Sequence, residues 1–91
     1  MPLQAFVRAG AAALARMGMP ATLDGEDAGR VHVAQGVRVQ FDEVVSDRTV
    51  ATISRQYTPR AGQALVHPDG AFTLDSRLSD NGVNVRFILR P

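Results

Sequence analysis

Residues 63–90 read Gln63-Ala64-Leu65-Val66-His67-Pro68-Asp69-Gly70-Ala71-Phe72-Thr73-Leu74-Asp75-Ser76-Arg77-Leu78-Ser79-Asp80-Asn81-Gly82-Val83-Asn84-Val85-Arg86-Phe87-Ile88-Leu89-Arg90. Two turns punctuate this stretch. In Pro68-Asp69-Gly70, proline presets φ, aspartate bonds back to the backbone and glycine accepts positive φ. A three-residue connection there pairs His67 with Ala71, so that Val66 faces Phe72 and Ala64 faces Leu74. Asn81-Gly82 is a two-residue hairpin signal, because a type I′ turn needs positive φ at both positions. It pairs Asp80 with Val83, and counting outward Leu78 meets Val85, Ser76 meets Phe87 and Leu74 meets Leu89. Both turns put Leu74 on the same apolar face, which predicts a three-stranded meander over 63–90. The other face carries Thr73, Asp75, Arg77, Asn84, Arg86 and Ile88. Arg77 is expected opposite Arg86, with Asp75 diagonal to both and relieving the repulsion.

Upstream the period is also two. Ala21-Thr22-Leu23 reads as a short strand ended by Asp24-Gly25, and Glu26 to Gly29 as a polar turn. Val31, Val33, Val37, Val39 and Phe41 share a parity against His32, Arg38, Gln40 and Asp42, with Gln35-Gly36 placed to bulge the strand. Asp42 to Arg48 reads as a charged loop around Val44-Val45. Thr49 to Gln56 alternates again without declaring its buried face. Tyr57 to Gly62 connects it to the meander. Residues 1–19 change period: Leu3, Phe6, Val7, Gly10, Leu14 and Met17 recur at three and four, predicting an amphipathic helix that Gly18 caps and Pro20 stops. The expectation is one domain over 1–91, mainly β: an N-terminal α-helix (1–19), then a small antiparallel β-barrel or sandwich of five to six strands (21–91).

Composition excludes several classes. With 91 residues the chain is short of a two-domain length and buries a thin core. Ten basic residues, all Arg, stand against nine acidic ones, for a net charge of +1, which disfavours a general polyanion binder. The use of Arg without Lys, beside abundant Ala, points to a GC-rich bacterial genome or a virus of such a host. The absence of cysteine removes disulfides, thiolate zinc sites and thiol nucleophiles. No apolar run is long enough to span a membrane, and the first residues lack a signal-peptide pattern.

Chemical motifs are sparse. Ser46, Ser54, Ser76 and Ser79 sit in no nucleophile-elbow context, and His67 before Pro68-Asp69 reads as an exposed turn histidine. Asp24-Gly25-Glu26-Asp27 lacks the alternating oxygen ligands of a calcium loop. No phosphate-binding glycine loop is spelled out. These readings predict no enzyme, no metal and no cofactor. Tyr57 and Phe41 are too few for a single-strand stacking platform, although Arg55, Arg60, Arg77, Arg86 and Arg90 are compatible with an arginine-lined pore. What remains is protein-contact surface. Val44 and Val45, flanked by Asp42, Glu43, Asp47 and Arg48, have the form of an apolar patch with a charged rim. Arg55, Tyr57, Pro59 and Arg60 include the residue types enriched in interface hot spots.

The run from Tyr57-Thr58-Pro59-Arg60-Ala61-Gly62 through Phe72-Thr73-Leu74-Asp75 resembles the end of lambda-type head–tail joining proteins of tailed bacteriophages. That family enters a strand on a glycine, small or acidic, hydrophobic step. A glycine turn follows, then an aromatic-x-Val/Leu-Asp strand, a polar hairpin and a last strand rich in Leu and Val. Here Asp80-Asn81-Gly82 and Val83 to Leu89 fill the last two roles, and a helix before the barrel is also like the family. The resemblance covers residues 37–91. The chain departs from it in being short and in carrying Gln63 where an acidic residue is usual. The resemblance implies a structural role without catalysis: a ring of six copies in the virion neck that closes the filled head and docks the tail, assembled in the host bacterial cytoplasm. Implied partners are further copies of the chain, the portal or adaptor, and tail proteins, with DNA passing only through the pore and no membrane contact. A tail terminator or tail-completion protein shares this strand pattern, and a single-strand nucleic-acid-binding barrel is the alternative of another class.

Overall fold

A computed structural model describes residues 17–41 and 43–91. Six strands succeed one another: β1 (Met19–Leu23), β2 (Glu26–Phe41), β3 (Val44–Ser54), β4 (Ala64–His67), β5 (Gly70–Asp80) and β6 (Asn84–Arg90), with one 3-10 turn (Arg55–Tyr57) between β3 and β4. Their order, β1-β2-β3-β6-β5-β4, closes on itself into an antiparallel barrel. Two meanders, β1-β2-β3 and β4-β5-β6, are joined by the β3–β6 and β1–β4 ladders, so neither half has to expose both its edges. The expected helix over 1–19 lies outside the described residues save for Met17 to Met19, and Met19 already belongs to β1.

Asp24 and Gly25 take φ of 51° and 83°, as a tight two-residue turn requires. Asp24 also clasps β4: its N–H donates to the Ala64 carbonyl at 2.8 Å, and its Oδ1 accepts the Ala64 N–H at 2.8 Å. Glu26 to Gly29, read as a turn, instead opens β2. The extended Asp42–Arg48 loop is also corrected. Val44 to Arg48 are strand, paired from Phe41↔Val44 down to Val37↔Arg48. Adjacent β-branched valines favour that extension.

The bulge foreseen at Gln35-Gly36 is present: the β2–β3 register shifts between Ala34 and Val37, and Gly36 has φ of 69°. Its consequence was not foreseen. One extra residue reverses the facing of everything after it. Val31 and Val33 therefore join the barrel core with Ala51, Ile53, Leu65, Leu74, Val85, Phe87 and Leu89. Val37 and Val39 join a second cluster with Val50, Ile88 and Leu78 on the reverse of β3 and β6. Ile88, expected on a polar face, is 1 % exposed for this reason.

The meander is present with two local corrections. β4 pairs His67 with Gly70 and Leu65 with Phe72, so only Pro68 and Asp69 form the bend, and Gly70, at φ 143°, starts β5. That one-residue difference turns Leu65 and His67 inward and leaves Ala64 and Val66 outside, Val66 being 55 % exposed. The β5–β6 loop is longer than expected, since Asp80 pairs with Val85 rather than Val83. Asn81 Oδ1 accepts the N–H groups of Val83 and Asn84 at 2.9 and 2.8 Å, and Asp80 Oδ1 accepts that of Gly82 at 2.8 Å. These side chains supply the turn's acceptors, and only Gly82 adopts positive φ there. Two bulges in β5 then absorb the two added residues, so Leu74 still meets Leu89. Arg77 consequently stands opposite Phe87, not Arg86, and Asp75 pairs with Arg48 at 3.7 Å.

Candidate functional site

The named surface residues fall at two ends of β3. At its start, the β2–β3 hairpin carries Val44 and Val45, 65 % and 52 % exposed, beyond the reach of the other strands' ladders. Glu43 occupies the turn with φ of 68°; Asp42 lies outside the described residues. Asp47 pairs with Arg38 across the hairpin at 3.8 Å, both side chains well exposed, so this pair contributes little. Arg48 is engaged by Asp75.

At the other end, β3 runs into the 3-10 turn. Ser54 precedes it, and Thr58 closes it in the left-handed region (φ 45°, ψ 55°) by donating its N–H to the Arg55 carbonyl at 2.9 Å. A β-branched residue held there is a true backbone outlier and costs roughly 1–3 kcal/mol. The turn delivers Arg55, Pro59 and Arg60 to one open cleft of about 590 Å³, together with Arg77, Asp80 and Val85. Asp80 Oδ2 lies 3.3 Å from Arg55 Nε and 3.9 Å from an Arg77 terminal nitrogen. Two guanidiniums thus share one carboxylate, and a third, that of Arg60, lines the same cleft. Gln63 fixes the approach of the loop, its Oε1 accepting the Arg60 N–H at 2.7 Å.

Arg77, Asp80 and Val85 were missed as site residues. The ladders bring them in, since Val85 pairs with Ile53 on one side and Asp80 on the other. No local motif announces that meeting.

Tyr57 does not join the cleft. Its ring lies over Gly29 of β2, where an added Cβ would stand 2.7 Å from the phenolic oxygen and 2.9 Å from a ring carbon. Gly29 also has φ of 66°. Gly29→Ala is therefore expected to cost about 2–3 kcal/mol, combining left-handed strain with a displaced ring. Gly25→Ala isolates the φ cost, because nothing lies within 4 Å of that position. Denaturant midpoints should fall further for Gly29→Ala; equal losses would show that the Tyr57 contact carries no weight.

His67 is buried rather than exposed, its side chain 2 % accessible. The Asp69 N–H donates to Nδ1 at 3.1 Å, so the ring proton sits on Nε2 and is donated to the Val31 carbonyl at 2.9 Å. Both nitrogens are thereby taken by backbone. Among the described residues no group of three His, Asp or Glu side chains could hold a metal ion, and no helix is long and apolar enough to cross a membrane.

No protein-family model matches the chain, and no curated protein matches it.

Proposed function

We propose that this chain is a structural protein of a phage or prophage that forms a ring at the head–tail junction, closing the filled head and docking the tail. The observation that carries this reading is the projecting β2–β3 hairpin, which presents two adjacent valines to solvent on a barrel whose other large apolar groups, among the described residues, are mostly buried. An apolar tip ringed by charge is the form of an interface core with its rim. The strand and turn pattern shared with head–tail joining proteins supports the same role.

The arginine cleft favours a second reading, a module that binds single-stranded nucleic acid through its phosphates. Deleting the gene from the genome that carries it separates the possibilities. Induced lysates should contain DNA-filled heads and complete free tails that remain unjoined. Tails of irregular length would instead identify a tail terminator, and normal infectious particles would overturn the assembly role altogether. Salt-sensitive oligonucleotide binding by the purified chain, lost in Arg55→Ala, would favour the nucleic-acid module.

A further inference from the structure

We propose that the contact between neighbouring copies is head-to-tail: the hairpin tip of one chain enters the arginine cleft of the next. Glu43 meets the guanidiniums, and Val44 packs against Pro59. The occupant of the cleft is a second copy of this chain, and the inference rests on the ring reading above.

Geometry is the first argument. Tip and cleft lie at opposite ends of β3, which is 11 residues long. At ~3.3 Å per residue that separates them by about 35 Å. A chain therefore cannot fill its own cleft. A contact between two different surfaces, repeated with the same rotation, closes into a ring when the rotation divides the circle.

Charge is the second. Arg55 and Arg77 share the single carboxylate of Asp80, and Arg60 is in no ion pair among the described residues. The cleft is thus two positive charges in excess. Glu43 likewise has no ionic partner among the described residues, and Asp42 adjoins it in sequence. A carboxylate brought beside these guanidiniums gains charge-assisted hydrogen bonds. Apolar complementarity is the third. Val44 is the most exposed of the large apolar side chains among the described residues. At the cleft, half-buried Pro59 gives a valine an apolar surface to cover, above a floor closed by the buried Val85.

The chain has no cysteine, so an introduced pair reports on this contact alone. Under mild oxidation, Val44→Cys combined with Pro59→Cys should give a ladder of covalent multimers ending in one closed species. Val44→Cys alone should stop at a dimer, and Val66→Cys with Pro59→Cys should give no closed species. In a complementary experiment, Glu43→Arg or Arg60→Glu should each weaken self-association roughly tenfold or more in sedimentation. Mixing the two variants should restore it. Association of the unmodified chain without the 44–59 ladder overturns this contact while leaving the ring intact. A chain monomeric at every concentration also overturns it, and the gene deletion then decides the ring separately. Oligonucleotide binding that Arg60→Glu abolishes in the monomer reassigns the cleft to phosphate.

Discussion

Replacing His67 by alanine should lower the stability of the barrel by roughly 2–4 kcal/mol, the sum of a lost buried hydrogen-bond pair and the space left behind. The imidazole joins two parts of the wall that the ladders connect only indirectly. It donates to the Val31 carbonyl in β2 and accepts from Asp69 in the turn after β4. Between these strands runs β1, and its Pro20 has no N–H to give to the β1–β2 ladder. Removal of the ring leaves that corner with fewer donors and a cavity next to Ala21. For a domain of this size the change corresponds to about 10–25 °C in Tm. The denaturant midpoint should fall with the m-value unchanged, because the same surface is exposed on unfolding. His67→Gln, which keeps a donor on a flexible stem, should recover part of the loss. An alanine variant that melts within 2–3 °C of the unmodified chain would show that the two hydrogen bonds are replaced by solvent.

The same histidine shows how far the sequence could be read. Turn chemistry and period-two alternation sufficed for the mainly β class, for the β4-β5-β6 meander and for the bulge at Gly36. They did not suffice for the facing of particular side chains, since each bulge or one-residue change in a turn reverses it. Pro68-Asp69-Gly70 contains every residue of a three-residue connection, yet the bend closes in two, and His67 moves from solvent to core. The valines at 31, 33, 37 and 39 share a parity on paper but serve two clusters, because Gln35-Gly36 adds a residue between them. In the β5–β6 hairpin, a longer loop and two bulges cancel at Leu74↔Leu89, so the outer pairing is right and the inner pairing is shifted. The hairpin tip was legible as candidate contact surface, since Val44-Val45 among charges needs no knowledge of register. The cleft was legible only by half. Arg55, Pro59 and Arg60 are neighbours in the chain, whereas Asp80 and Arg77 reach them through the β3–β6 and β5–β6 ladders, which no local pattern encodes.

Val44→Asp combined with Val45→Asp should abolish ring assembly and leave the barrel folded. Both side chains are more than half exposed in the single chain, so their replacement removes little from its core. The expected stability change is about 1 kcal/mol or less, mostly lost strand preference at the tip. In the ring proposed above the same valines would be covered, and a valine contributes roughly 1.5–3 kcal/mol when fully buried. The new carboxylates would face a cleft with excess positive charge, which offsets part of this loss without restoring the apolar contact. The double change should therefore weaken each contact at least ~100-fold. The loss compounds around a closed ring, because closure requires every contact to form. Val66→Asp is the matched control: a valine of similar exposure on the outer wall of β4, away from both the tip and the arginine cleft. It should leave assembly untouched. Light scattering over a concentration series reads the mass, and thermal melting of the same samples reads the fold. Rings that form equally well from the double variant would remove the hairpin from the interface; loss of assembly in Val66→Asp as well would mean that the barrel wall, not the tip, carries the contact.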